Sequence, residues 1–166
     1  MRKTIITILL LTVSLVTYSY GLSDTDFVAA KSKLLYAYKT LESNALQISL
    51  TYEQEAAKMP QVEQGNILLL RSDLELGMLV VKEVLALYTL QGVQVSTPPE
   101  AAKLLTDASL DSLDFLNRLE ERLKIRVAGI SSATIRNIAT ESLSAIEEAK
   151  KAIPVLNKFL SQKSAS

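Results

Sequence analysis

The 166-residue sequence contains no histidine, no cysteine and no tryptophan. Histidine is the commonest general base near neutral pH and the commonest transition-metal ligand, and cysteine supplies thiolate ligands and nucleophiles. Ordinary zinc sites, iron–sulfur clusters and the Ser–His–Asp and Cys–His catalytic arrangements are therefore excluded. We expect no metal, no other cofactor and no enzymatic activity. Because no disulfide can form, the hydrophobic core alone must hold the fold.

A strongly basic charge balance is also missing. Lysine and arginine together number 18, and aspartate and glutamate together also number 18. A nucleic-acid-binding protein needs a basic face to neutralise phosphates, so we expect no nucleic-acid partner. Glycine-rich phosphate-binding motifs and the G-x-S-x-G nucleophile motif are likewise absent from the sequence.

The N-terminus has the pattern of a secretory signal peptide. Arg2 and Lys3 precede an uncharged, mostly apolar stretch over residues 4–16. This length fits the roughly 7–15 residues of a signal h-region and falls short of the about 20 residues that span a bilayer. Small residues before Leu22 predict cleavage there, or two residues earlier, and a retained N-terminal anchor is the alternative. We expect an exported protein without a membrane span after cleavage, periplasmic or else secreted.

After a signal peptide at 1–21, residues 22–166 are expected to form one all-α domain. Apolar residues recur at heptad or 3–4 spacing in four segments, which predicts an up-down-up-down antiparallel four-helix bundle with long helices. Breaks around Pro60, Gly92 and Gly129 separate the segments. Pro154 predicts a kink or break in the last one. The predicted helices cover about 24–57, 61–91, 98–128 and 131–162.

Two helix starts carry capping signals. Thr97 with Glu100 forms a capping box before the third helix, and Ser131 or Ser132 can cap the fourth. Such side chains satisfy backbone N–H groups that have no partner inside the helix. They therefore place the last two helix starts more securely than apolar periodicity alone does.

The second segment is the most apolar of the four. A stripe with 3–4 spacing includes Leu74, Val81 and Tyr88, and further apolar residues widen it beyond one face. Charged residues interrupt the segment, each costing about 3 kcal/mol at the centre of a bilayer, so it is not a membrane helix. A helix with this much apolar surface lies in the middle of a fold or at an interface. The widening residues are Leu69, Leu76, Val80, Val84 and Leu87.

Other clusters are better explained by an ordinary helix surface. Asp107, Asp111 and Asp114 share one face of the third helix, but Ca²⁺ needs six to eight oxygen ligands, usually from a loop. Acidic residues near the start of a helix and basic residues near its end are favoured by the helix dipole. The basic residues that could instead form an anion site are Arg118, Arg122, Lys124, Arg126 and Arg136.

The preferred hypothesis is an exported, non-enzymatic helical bundle that acts through contacts with itself or with an envelope partner. Exposed contiguous apolar surface usually marks such an interface. The alternative is a periplasmic carrier or sensor that binds a small apolar ligand between helices. The residues tentatively assigned to the interface or pocket are Tyr38, Tyr52, Leu74, Val81 and Tyr88. An enzyme that uses only carboxylates and tyrosine, with Asp111 as a candidate, is a third hypothesis.

Overall fold

The computed structural model describes the backbone of residues 2–91 and 99–163, and the side chains of residues 25–88, 100 and 103–159. Within these ranges all regular structure is helical, and four helices pack against one another. The all-α prediction is therefore confirmed. The helices are α1 (Arg2–Glu55), α2 (Gln61–Gln91), α3 (Pro99–Ala128) and α4 (Ala133–Lys163), with a 3-10 turn at Ala56–Lys58.

Helix α1 begins much earlier than the position near residue 24 that the heptad pattern predicts. It runs without interruption from Arg2 to Glu55. The leucine-rich segment before residue 24 contains residues with good helix propensity and no proline, so it continues the same helix.

The helix ends follow from local chemistry. Between α1 and α2 the backbone leaves the helix at Met59, and the Pro60 carbonyl accepts the first α2 hydrogen bond, from Gln64 at 3.0 Å. Ser132 precedes α4, and its hydroxyl accepts a 3.5 Å hydrogen bond from the backbone N–H of Ile135. Of the two serines considered for this cap, Ser132 is the one that fills it. The predicted capping residue Thr97 lies outside the described residues.

Proline does not end the fourth helix. Pro154 lies inside α4, which continues to Lys163, so the chain has no break at this position. The Pro154 side chain is exposed, while Ile153 and Leu156 on either side of it are buried. Burial of these neighbours holds the helix against the bundle and compensates for the backbone hydrogen bond that proline removes.

The core is built from the heptad positions of all four helices. On α1 the buried residues Leu34, Leu41 and Ile48 are seven residues apart, as predicted. The other three helices also contribute buried apolar residues at heptad spacing to the core. These are Ile67, Leu74, Val81 and Tyr88 on α2, Leu116 and Leu123 on α3, and Ala139, Ile146 and Ile153 on α4. On α3 Ser109 is buried as well, next to the exposed Ala108.

Helices α1 and α3 each pack against both α2 and α4. Between α1 and α4, partners with rising numbers on α1 have falling numbers on α4. The pairs are Lys33–Glu148 at 2.8 Å, Asn44–Ser142 at 3.0 Å and Glu55–Ser132 at 2.9 Å.

Helix α2 approaches α3 closely at Gly77. A Cβ atom built on Gly77 would lie 2.6 Å from Leu119 Cδ2 and 3.7 Å from Leu41 Cδ1. Both leucines are fully buried. The absence of a side chain at Gly77 therefore sets how closely three helices meet at mid-height in the core.

Candidate interaction surface

The large apolar side chains that the bundle leaves exposed are concentrated on two helices. Among the described side chains there are fourteen, of which ten belong to α1 and α2 and only one to α4. This asymmetry distinguishes a potential binding surface from the scattered apolar residues of any protein surface. The ten are Val28, Leu35, Tyr36, Leu46 and Leu50 on α1, and Val62, Leu68, Leu69, Leu76 and Leu79 on α2.

On α2 the exposed leucines form a continuous surface opposite the core. We call this surface the α2 outer face and define it by residues without charge that point away from the bundle. Leu79 is 53% exposed and Leu69 is 49% exposed. The 1.5 Å rise per residue makes the face about 25 Å long. Its members are Val62, Gly65, Leu68, Leu69, Ser72, Leu76 and Leu79.

Charged residues lie along the edge of the α2 outer face that borders α1. Arg71 and Glu75 form an exposed ion pair with a 2.9 Å distance between Nε and Oε1. Lys82, seven residues after Glu75, is also exposed, and within the described side chains it forms no ion pair. An exposed pair such as Arg71–Glu75 stabilises the helix by only about 0.3–0.5 kcal/mol. These charges are therefore more relevant to solubility and partner choice than to the fold.

Three of the residues predicted for the site lie in the core. Leu74 and Val81 are fully buried, and Tyr88 is 1% exposed. The Tyr88 hydroxyl donates a hydrogen bond to Asn157 Oδ1, and burial raises the pKa of Tyr88. These three side chains stabilise the bundle and are inaccessible to a partner. The accessible apolar surface of α2 lies half a helical turn away.

The remaining two predicted residues, Tyr38 and Tyr52, are partly buried at separate places. The Tyr38 hydroxyl donates to Glu42 Oε1 at 2.9 Å, and this hydrogen bond raises the pKa of Tyr38. The Tyr52 hydroxyl donates to Gln64 Oε1 at 3.4 Å. Because each tyrosine has a different partner, the structure does not bring Tyr38, Tyr52 and Tyr88 together around one pocket.

A small cavity does lie beside Tyr52, between α1 and α2. Its volume is about 170 Å³, and its lining includes Ser49, Glu53 and Arg71 as well as apolar side chains. Pockets for drug-sized ligands usually measure about 300–1,000 Å³. The cavity could therefore admit only a much smaller molecule or water.

The acidic residues of α3 are dispersed over its exposed surface. Asp107 pairs with Lys103 at 2.9 Å, and Asp114 pairs with Arg118 at 3.0 Å. Asp111 is exposed. Across the described residues, no group of three or more potential ligands is arranged to hold a metal ion. The α3 aspartates therefore have the geometry of a solvated helix face with local ion pairs.

Four of the five basic residues considered for an anion site form ion pairs, two of them within α3 (Arg118 and Lys124) and two with α2. The fifth, Arg136, donates a 3.4 Å hydrogen bond from its guanidinium to the Ile130 carbonyl. Arg122 and Arg126 both contact the buried Asp73 carboxylate of α2, at 3.3 Å and 2.6 Å. Glu120 lies between Lys124 and Lys150, and hydrogen bonds from these two lysines lower its pKa. Since their charges are already compensated, these cations do not form an open anion site.

A buried carboxylate joins α2 to the start of α4. Glu63 is 6% exposed, and its carboxylate accepts hydrogen bonds from the Ser131 hydroxyl and from the backbone N–H groups of Ser131 and Ser132. These bonds lower the pKa of Glu63. The carboxylate thus caps a helix distant in sequence, and nothing in the local sequence around Glu63 signals that contact.

Comparison with known proteins identifies no relative: no family model matches the chain, and no match was found among curated proteins or solved structures. Within the described part of the chain, no helix is both long and apolar enough to span a membrane.

Proposed function

We propose that the chain is an exported, non-enzymatic helical-bundle protein that acts through protein–protein contacts, either with itself or with an envelope partner. One observation carries the proposal, the exposed leucines of the α2 outer face. Helix α2 already supplies fully buried residues to the core, so these leucines are additional to what the fold requires. Large contiguous apolar patches on soluble proteins usually mark interaction sites.

The proposal includes a cleaved signal peptide and an antiparallel up-down-up-down arrangement of residues 22–166. The basic start and the short apolar stretch support cleavage before Leu22. The opposite numbering of contacts between α1 and α4 supports the antiparallel arrangement, as do the short connections at 56–60 and 129–132. N-terminal sequencing of the protein from fractionated cells tests the first point. An uncleaved N-terminus in the membrane fraction would contradict it.

Native mass spectrometry tests the interaction. The protein would be purified from its own export compartment under gentle conditions. A mass equal to a multiple of the chain, or to the chain plus one defined second protein, supports the proposal. A strictly monomeric protein that also yields no cross-linked partner in intact cells contradicts it.

A periplasmic carrier or sensor remains the second candidate, and the cavity beside Tyr52 is the observation that favours it. It predicts that the monomer carries the extra mass of a small molecule and that adding this molecule raises the melting temperature. Tyr52→Ala should abolish that shift, and Tyr38→Ala, which lies outside the cavity lining, provides the control. A protein of bare chain mass with no thermal shift for any small ligand would contradict this second function.

A further inference from the structure

The α2 outer face contains a regular seam that continues beyond its last leucine. Leu69, Ser72, Leu76 and Leu79 are separated by three, four and three residues, and the exposed residues Glu83 and Ala86 continue the same spacing. This alternation is the heptad pattern of helices that pack side by side in coiled coils. The inward stripe of α2 has the same spacing, so α2 has one seam for the core and a second on the opposite side. We call the second one the outer seam.

We propose that the outer seam binds the outer seam of a second copy of this chain, with the two α2 helices antiparallel about a twofold axis. This inference rests on the proposed function and specifies its partner and surface. In a twofold contact the same residues serve both sides, so the surface must be complementary to itself. The outer seam and the charges beside it meet that requirement.

Self-complementarity fixes the register of the two helices. With the axis between Gly77 and Met78, Leu76 lies opposite Leu79 of the second copy, and the symmetry repeats this leucine pair. In the next layer Ser72 lies opposite Glu83 of the second copy, and in the layer beyond it Leu69 lies opposite Ala86. The two central layers are thus purely apolar, as in the interior of a coiled coil, and in the layers that flank them the Ser72 hydroxyl can donate a hydrogen bond to the Glu83 carboxylate.

The flanking charges are complementary in the same register. Glu75 and Lys82 are seven residues apart and both border the seam on the side of α1. Glu75 then lies beside Lys82 of the second copy, and Lys82 beside Glu75. In a single chain Lys82 forms no ion pair among the described side chains, although its charge interacts with the Glu42 carboxylate of α1, so the second copy adds a further carboxylate beside Lys82. A shift of the helices by one heptad would instead place Glu75 beside Glu75 of the second copy, so these charges favour one register.

Analytical ultracentrifugation of the protein purified after export, with the N-terminus that it has in the cell, tests the inference. It measures the dissociation constant of the dimer. Leu79→Glu introduces two carboxylates into the central leucine layers, so the dissociation constant of the dimer should rise at least about 100-fold. Leu104→Glu is the matched control because Leu104 is an exposed leucine on α3, and its dimer should be unchanged. Circular dichroism verifies that both variants remain folded.

Charge reversal tests the register. Glu75→Lys and Lys82→Glu should each weaken the dimer by about tenfold, and the double variant should return to within about threefold of the original. Failure of the double variant to recover would overturn the register.

The remaining outcomes separate this inference from the proposed function. A dimer that Leu79→Glu leaves intact, or a monomer that binds a different envelope protein, overturns the outer-seam dimer and leaves the proposed function standing. A monomer without any protein partner overturns both, as does a chain that binds only phospholipid vesicles.

Discussion

Replacement of the two helical glycines of α2 by alanine should affect stability differently. Gly65 and Gly77 lie in the same helix, and glycine inside a helix costs roughly 0.5–1 kcal/mol relative to alanine. A Cβ atom at Gly65 would meet nothing within 4 Å. Gly65→Ala should therefore raise the free energy of unfolding by about 0.5–1 kcal/mol, which corresponds to a rise in Tm of roughly 2–4 °C per kcal/mol.

Gly77→Ala gains the same helix propensity but creates an overlap. Its Cβ would lie 2.6 Å from Leu119 Cδ2, and Leu119 is fully buried, so its side chain must shift within the core. Overpacking of this kind usually costs about 1–3 kcal/mol, which exceeds the gain. We expect Gly77→Ala to be neutral or destabilising by up to about 2.5 kcal/mol, the difference between these two effects.

The free energy of unfolding of the original protein and of both variants is measured by urea titration. The comparison requires that the slope of this free energy against urea concentration is the same in all three proteins. If Gly77→Ala stabilised the protein as much as Gly65→Ala does, the close approach of α2 and α3 at mid-height would be refuted. The two substitutions are chemically identical and lie in one helix, so the comparison isolates the tertiary contact.

Three further predictions concern buried polar groups. Asn44→Ala removes the buried hydrogen bond to Ser142 and should lower the free energy of unfolding by about 1–3 kcal/mol in urea titrations; an unchanged midpoint would refute this. The lowered pKa of Glu63 means that its contribution to stability is present above the ordinary value of 4.5 and is lost as pH falls through the folded-state pKa. Glu63→Gln should therefore flatten the loss of thermal stability between about pH 5 and pH 2, and an identical slope in both proteins would count against the Glu63 cap. Burial raises the pKa of Tyr88, so the unfolded state ionises first and stability falls as pH rises above 10.0. Tyr88→Phe should weaken this alkaline loss of stability, and an identical loss in both proteins would count against the burial of the Tyr88 hydroxyl.

The sequence was sufficient to predict the fold class because periodicity is a local property. Leu34, Leu41 and Ile48 recur every seven residues, and the structure buries all three on one side of α1. The breaks near Pro60 and Gly129 also have local causes, in a missing N–H donor and in a residue without a side chain. Each of these features requires knowledge of only a few neighbouring residues.

Contacts between distant residues were beyond such reasoning. The cap that Glu63 provides for α4 joins residues 68 positions apart, and the Asp73–Arg126 pair joins residues 53 positions apart. Both acidic residues look like ordinary surface charges in the sequence. Only the arrangement of the helices shows that each is buried and has hydrogen-bond partners. Because the pairing of Asp73 with the arginines of α3 is not visible in the sequence, these arginines were considered for an anion site.

From the sequence, Leu69 and Leu76 of the α2 outer face are recognised only as residues that widen the apolar stripe, and this has a different reason. Helix α2 has two apolar stripes with the same 3–4 spacing, and periodicity cannot decide which of them faces the core. The stripe with Leu74 and Val81 also contains Gly77, and a residue without a side chain belongs where a neighbouring helix comes closest. In the structure Gly77 is the position that Leu119 approaches, so this stripe faces inward. Leu79 does not belong to the stripe with Leu74 and Val81. It therefore lies on the side of α2 that faces away from the core, and it is exposed.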